Sequence, residues 1–155
     1  MGLSDILSEE SVLFCTGIKT KAQLIDVIAD HASKRLKQDR DAVRETLVNR
    51  EALGSTGLGG GIAIPHGKLA GLTHVFAIFA RLDQPIDFEA VDDQPVDLVM
   101  ALFAPLGGGA EHLKALSRVA RLLRTETVVA QLRRTEALTE LYAILTGPAA
   151  TNKAA

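Results

Sequence analysis

Aromatic side chains are scarce in this chain: five Phe, one Tyr and no Trp among 155 residues. A core must therefore be assembled from Leu, Ile, Val and Ala, and stacked aromatic platforms for single-stranded bases are excluded. Cysteine is scarcer still. Cys15 stands alone, so no intramolecular disulfide can form and no cysteine-built zinc site exists. Its place after Val12-Leu13-Phe14 reads as a small buried hydrophobe rather than a reactive thiol. An excess of positive charge is lacking too: 17 Lys and Arg against 19 Asp and Glu leave a net charge of −2, which argues against a general nucleic-acid binder. No apolar run approaches the ~20 residues of a membrane-spanning helix, and the N-terminus shows no signal-peptide pattern. The expectation is a cytoplasmic protein without membrane insertion or nucleic-acid partner.

What is present describes an ordinary globular protein, 47% hydrophobic and 23% charged. A chain of this length fits a single domain, 1–155, able to bury roughly 70% of its unfolded surface. The ordered core is expected over about 3–147, because Gly147-Pro148 stops the last helix and 148–155 reads as a disordered tail. Ser11 to Cys15 is a candidate strand. Thr20 reads as the N-cap of a helix reaching about Lys37, with Leu24, Ile25, Ile28, Ala29, Ala32 and Leu36 inward. His31 falls off that stripe and reads as a solvated surface residue. A second helix is expected from Arg40 to Leu53, with Val43 and Leu47 on its apolar face. Val75 to Leu82 and Val96 to Ala104 read as buried strands, joined by a solvent-facing connection over Asp83 to Gln94. Further helices are expected from near Ala110, with Leu113, Leu116, Val119, Ala120 and Leu123 on its face, from Glu126 to Arg133, and from Glu136 to Leu145. Alternating strands and helices make the fold α/β, a sheet sandwiched between helices, with a strand order that periodicity does not reveal.

The chemistry-bearing residues lie between these elements. In Gly61-Ile62-Ala63-Ile64-Pro65-His66-Gly67-Lys68, a short apolar run delivers His66 onto a turn framed by Pro65 and Gly67. A neutral imidazole so placed is a competent nucleophile; the plainer reading is a satisfied structural histidine. Arg50 lies on the inward stripe of the second helix and needs an anionic partner. Either a carboxylate, Glu51 or Glu45, or a phosphoryl group would serve. The glycine-rich Gly54–Gly61 segment matches neither a Walker A loop nor a dinucleotide fingerprint. It reads as an irregular loop whose amides, with Ser55, Thr56 and Gly67, can approach an anion. His112 sits in the first turn of the helix after Gly107-Gly108-Gly109, where free amides and the dipole favour negative charge. A zinc hydrolase built on His66, His74 and His112 lacks any His-Glu-x-x-His spacing, and a serine hydrolase lacks its Gly-x-Ser-x-Gly elbow.

Four blocks then carry a resemblance: Asn49-Arg50-Glu51, Leu53-Gly54-Ser55-Thr56-Gly57, the Gly61–Gly67 block, and Glu111-His112-Leu113. Over about residues 3 to 147 the chain resembles the enzyme IIA domain of the mannitol/fructose class in the bacterial phosphoenolpyruvate-dependent phosphotransferase system. It is most similar to the stand-alone nitrogen-regulatory branch. The resemblance implies a mixed β-sheet covered by helices on both sides, with His66 as phosphorylated histidine and Arg50 and His112 as its basic partners. It further implies an HPr-type phosphocarrier protein as donor, regulatory protein targets downstream, and no cofactor or metal. Sugar-transport members often carry an acidic residue six positions before the phosphorylated histidine. Here that position is Gly60, and no IIB, IIC or HPr-like segment is present. Both features point to a regulatory phosphocarrier, of the kind tied to nitrogen and potassium regulation in the family, ahead of a sugar-transport IIA component or a non-catalytic docking module. Leu58, Ile62 and Leu106 are expected to rim the site and contact the donor.

Overall fold

The computed structural model describes residues 2–147; the expected tail over 148–155 lies outside the described residues. In chain order the elements are β1 (Val12–Cys15), α1 (Lys21–Leu36), α2 (Arg40–Ala52), β2 (Gly57–Gly59), β3 (Ile62–Ala63), β4 (His66–Leu69), β5 (Phe76–Ile86), β6 (Val96–Pro105), α3 (Gly109–Leu122), α4 (Glu126–Arg134) and α5 (Leu138–Thr146). The strands form one mixed sheet in the order β1-β5-β6-β3-β2, with β4 also paired to β6. Strand β6 is central: β5 runs antiparallel on one edge, and β3 and β4 run parallel on the other.

Both faces of that sheet are covered, which is why β5 and β6 read as continuous apolar runs. Alternation still assigns each residue to a side. Ala77, Phe79, Leu98, Met100, Leu102 and Ala104 pack with residues of α3, α4 and α5. Ile78, Ala80, Leu82, Val99, Ala101 and Phe103 pack with Leu24, Ile28, Val43 and Leu47 of α1 and α2. The helix starts follow local chemistry. The Thr20 side chain accepts from the Gln23 amide, Asp39 does the same for Ala42, and Lys37 ends α1 in the left-handed region.

Strands β3 and β4 are two pieces of one edge. Ile62 pairs with Leu98 and His66 with Leu102, a single register interrupted at Ile64 and Pro65. Pro65 has no N–H to give a ladder, although its carbonyl still accepts from the Leu102 amide at 3.0 Å. His66 therefore opens a strand instead of sitting on a turn. Gly67 takes no positive φ; it faces α2, where a Cβ would overlap the Thr46 methyl group. Its small size lets the helix lie against the sheet.

Other expectations are corrected by packing. Part of the glycine-rich segment is ordered as a β2–β3 hairpin, with Gly59, Gly60 and Gly61 all at positive φ. The Gly60 peptide is held from both sides: Asp92 Oδ2 accepts its amide at 3.0 Å, and Arg133 of α4 donates to its carbonyl at 2.7 Å while also binding Asp97. The 83–94 connection is not simply solvent-facing. Strand β5 continues through Pro85 to Ile86, and Phe88 and Ala90 are buried. His31 is half-buried on α1 and shares a 3.0 Å hydrogen bond with the buried Ser11. Leu113 is 64% exposed, because the buried stripe of α3 runs through Ala115, Val119 and Leu122 and Leu113 lies across the helix from it. Cys15 is buried, as its apolar run implies, and burial pushes its thiol up.

Candidate functional site

The period of β4 builds the site. His66 stands opposite Leu102, whose side chain belongs to the α3–α5 face, so the imidazole projects toward the start of α3. There it meets His112, with ring centroids 5.4 Å apart and planes inclined by 50°. The break at Pro65 places the Ile64 carbonyl 2.7 Å from His66 Nδ1. A carbonyl oxygen only accepts, so Nδ1 carries the proton and Nε2 the lone pair. Arg50, reaching over from the last turn of α2, donates from Nε to His66 Nε2 at 3.3 Å and from Nη1 to the Gly54 carbonyl at 2.8 Å. The two bonds agree on one neutral tautomer.

Electrostatics favour that neutral state. Burial is the main cause holding His66 below the ordinary imidazole value; the Ile64 carbonyl opposes it, the Arg50 guanidinium lowers it further, and Glu51 pulls it upward. His112 is held low chiefly by burial, then by His66 and Lys68. Its Nδ1 is buried with no hydrogen-bond partner among the described residues, an open donor or acceptor beside the first ring. Helix α3 starts from Gly108 with no side-chain cap, leaving N-terminal amides and the positive dipole end beside the histidine pair. A neutral nitrogen nucleophile, a guanidinium on it and an uncapped helix start are what a phosphoryl group arriving at Nε2 would meet.

The sequence-predicted residues divide accordingly. His66, Arg50 and His112 come together. The Ser55 hydroxyl instead donates to the Phe88 carbonyl at 2.7 Å and accepts the Gly57 amide at 3.1 Å. Both the hydroxyl and the amide of the buried Thr56 donate to Glu51. Gly67 contributes by admitting α2. Neither Glu51 nor Glu45 neutralises Arg50, since Glu51 pairs with Lys21 at 2.9 Å. The pairing of Glu51 with Lys21, next to Phe88, escaped sequence reasoning, apart from one oddity: a lysine opens α1, where a cation opposes the helix dipole. Of the expected apolar rim, Leu106 is 63% exposed and Leu58 partly so, but Ile62 is buried in the core. The exposed leucines beside the site-bearing elements are Leu53 after α2, Leu106 after β6 and Leu113 in α3.

A model of the family described as phosphoenolpyruvate-dependent sugar phosphotransferase system, EIIA 2, matches residues 5–147. The chain is 46% identical to a nitrogen regulatory protein of Bradyrhizobium diazoefficiens, over 97% of this chain and 99% of that protein. It is 38% identical to a phosphotransferase-system fructose-specific EIIA component of Haloferax volcanii, over 76% of this chain and 77% of that one. Among solved structures it is similar to nitrogen regulatory protein IIA-Ntr from Neisseria meningitidis, with a TM-score of 0.88 and 32% identity, covering 93% of this chain and 99% of that one.

Proposed function

The chain belongs to the EIIA 2 family of the phosphoenolpyruvate-dependent sugar phosphotransferase system, and on that premise we propose that it is a regulatory phosphocarrier whose His66 accepts a phosphoryl group from an HPr-type carrier protein. The observation that carries this reading is the bond from His66 Nδ1 to the Ile64 carbonyl, which leaves the Nε2 lone pair directed at Arg50. Attack by that lone pair forms the new N–P bond while the P–N bond to the donor's imidazole breaks. The donor nitrogen keeps the electron pair, Nδ1 keeps its proton, and no cofactor or metal takes part in that exchange. Arg50 transfers its Nε donor from the ring to the phosphoryl oxygens, and His112 and the α3 amides meet the remaining charge. Ser55 and Thr56 serve by fixing the loop that carries the Gly54 carbonyl.

Phosphorylation adds close to two negative charges at His66, and that change selects which protein docks over the exposed leucines that flank the site-bearing elements. Similarity to a nitrogen regulatory protein across nearly its full length supports a regulatory outlet. A sugar-transport role has its own support in the likeness to a fructose-specific EIIA component, and transfer of label onto a cognate IIB domain would establish it.

The test is a mass measurement after incubation with phosphoenolpyruvate, enzyme I and an HPr-type carrier. One acid-labile phosphoryl group on wild type, absent in His66→Ala and slowed in His112→Ala, is expected. A wild-type chain that takes no label from any cognate carrier would leave a docking module in place of a phosphocarrier.

A further inference from the structure

Lysine is a poor choice for the first residue of a helix, since its charge faces the positive end of the dipole. Lys21 nevertheless opens α1, with no acidic residue in that turn to offset it. Such a local conflict is expected where a residue serves something other than its own helix. The Lys21 ammonium lies 2.9 Å from Glu51 Oε1, and the two side chains are only 17% and 5% exposed. It sits 4.6 Å from the centroid of the buried Phe88 ring, and Glu89 approaches its open side at 3.4 Å. The Glu51 carboxylate is otherwise occupied by one residue: Oε1 accepts the Thr56 amide at 3.1 Å and Oε2 accepts the Thr56 hydroxyl. Phe88 closes the circuit, its carbonyl accepting from Ser55 Oγ. Two segments distant in sequence, at Lys21 and Phe88, thus join Glu51 in gripping the short stretch that leaves α2, and Gly54, whose carbonyl takes half of the Arg50 fork, lies within it.

We propose that Lys21 is a positioning residue for phosphoryl transfer: it secures Glu51, Glu51 secures the Gly54–Gly57 stretch, and the Gly54 carbonyl fixes Arg50 with its Nε on His66 Nε2. This rests on the phosphocarrier reading of His66. The ion pair also resolves an electrostatic difficulty. A lone buried carboxylate so near the nucleophile would favour its imidazolium, and protonated Nε2 cannot attack. With Lys21 in contact, Glu51 braces the loop as a paired carboxylate instead of a lone one, and its upward pull on His66 stays below the downward effect of burial. Arg50, Glu51, His112 and, through His112, Lys68 are the charged or titratable groups acting on this histidine pair.

Two readouts on the full-length chain decide it: the initial rate of phosphoryl incorporation from a phosphorylated HPr-type carrier, and the His66 titration followed by NMR of its ring nitrogens. Lys21→Met is expected to slow incorporation by about tenfold through misplacement of Arg50, with Lys21→Arg recovering most of it. The same Lys21→Met should titrate His66 upward, whereas Glu51→Gln should titrate it downward. Opposite shifts separate the proposal from simple loosening, which would return the buried ring toward 6.5 in both variants. Should Lys21→Met fail to fold, Glu51→Gln and the double variant Lys21→Met/Glu51→Gln carry the titration arm. Wild type that takes no label overturns the phosphocarrier reading itself. Labelled wild type, with Lys21→Met within about twofold of it or with both titrations moving the same way, overturns the role of Lys21 alone.

Discussion

At the scale of single residues, the Arg50 fork has two jobs, one on a ring nitrogen and one on a backbone carbonyl. A lysine has no planar fork to perform both. Arg50→Lys is therefore expected to behave much like Arg50→Ala, each lowering the phosphotransfer rate by about 10²–10³-fold; a Lys variant near wild-type rate would mean that charge alone suffices. Protonation supplies a second expectation. His31, His66 and His112 are each held below 6.5, chiefly by burial, so the unfolded chain binds their protons first. Their contribution to stability is complete above the unfolded value and is lost as pH falls through it toward the folded values. Thermal melts should show Tm dropping from about pH 7 to 5.5, less steeply in His66→Gln, and an equal slope in that variant would assign the loss elsewhere. His66, Arg50 and His112 were legible because each is framed locally, by Pro65, by a helical stripe and by three glycines. The tautomer of His66 was not, because it depends on where one carbonyl points after a strand is interrupted.

At the scale of elements, sequence period separated helices from buried strands and located Thr20 as a cap. It missed β2, β3 and β4, which are only two to four residues long; β3 and β4 gain their pairing from β6 more than thirty residues downstream, and β2 gains its own from β3. It also took Gly67 for a turn glycine, since a sequence shows that a side chain is absent but not which neighbour requires the space. That neighbour is the Thr46 methyl, which yields a paired test. Gly67→Ala should cost about 1–3 kcal/mol by overpacking α2 against β4, and Thr46→Ser, which deletes the methyl, should return much of the loss in a chemical-denaturation cycle. Independent, additive effects would dismiss the contact. The period also misplaced Leu113, the one exposed member of a stripe whose Leu116, Val119, Ala120 and Leu123 are buried in the core or packed against it.

At the scale of the whole molecule, Leu53, Leu106 and Leu113 follow or lie in three elements near the histidine pair in the chain, α2, β6 and α3, at 85%, 63% and 64% exposure. An Asp at any of the three is expected to raise the KM for the phosphorylated carrier while Tm stays within about 2 °C, since surface changes perturb stability little. Ile62→Asp should instead unfold the protein, because that side chain is in the core. Unchanged KM in all three surface variants would put the donor's footprint elsewhere. The sheet order carries a further consequence, for synthesis. Strand β6 is the last strand made, yet it occupies the centre, bonded to β5 on one edge and to β3 and β4 on the other. Until residue 105 clears the ribosome, the strands made before it have no common partner, and their open edges must wait in a crowded cytosol. Folding of this sheet is thus gated by translation of its final strand. A nascent chain stalled before β6 should be open to protease and chaperone, and one stalled after α5 should be closed to both.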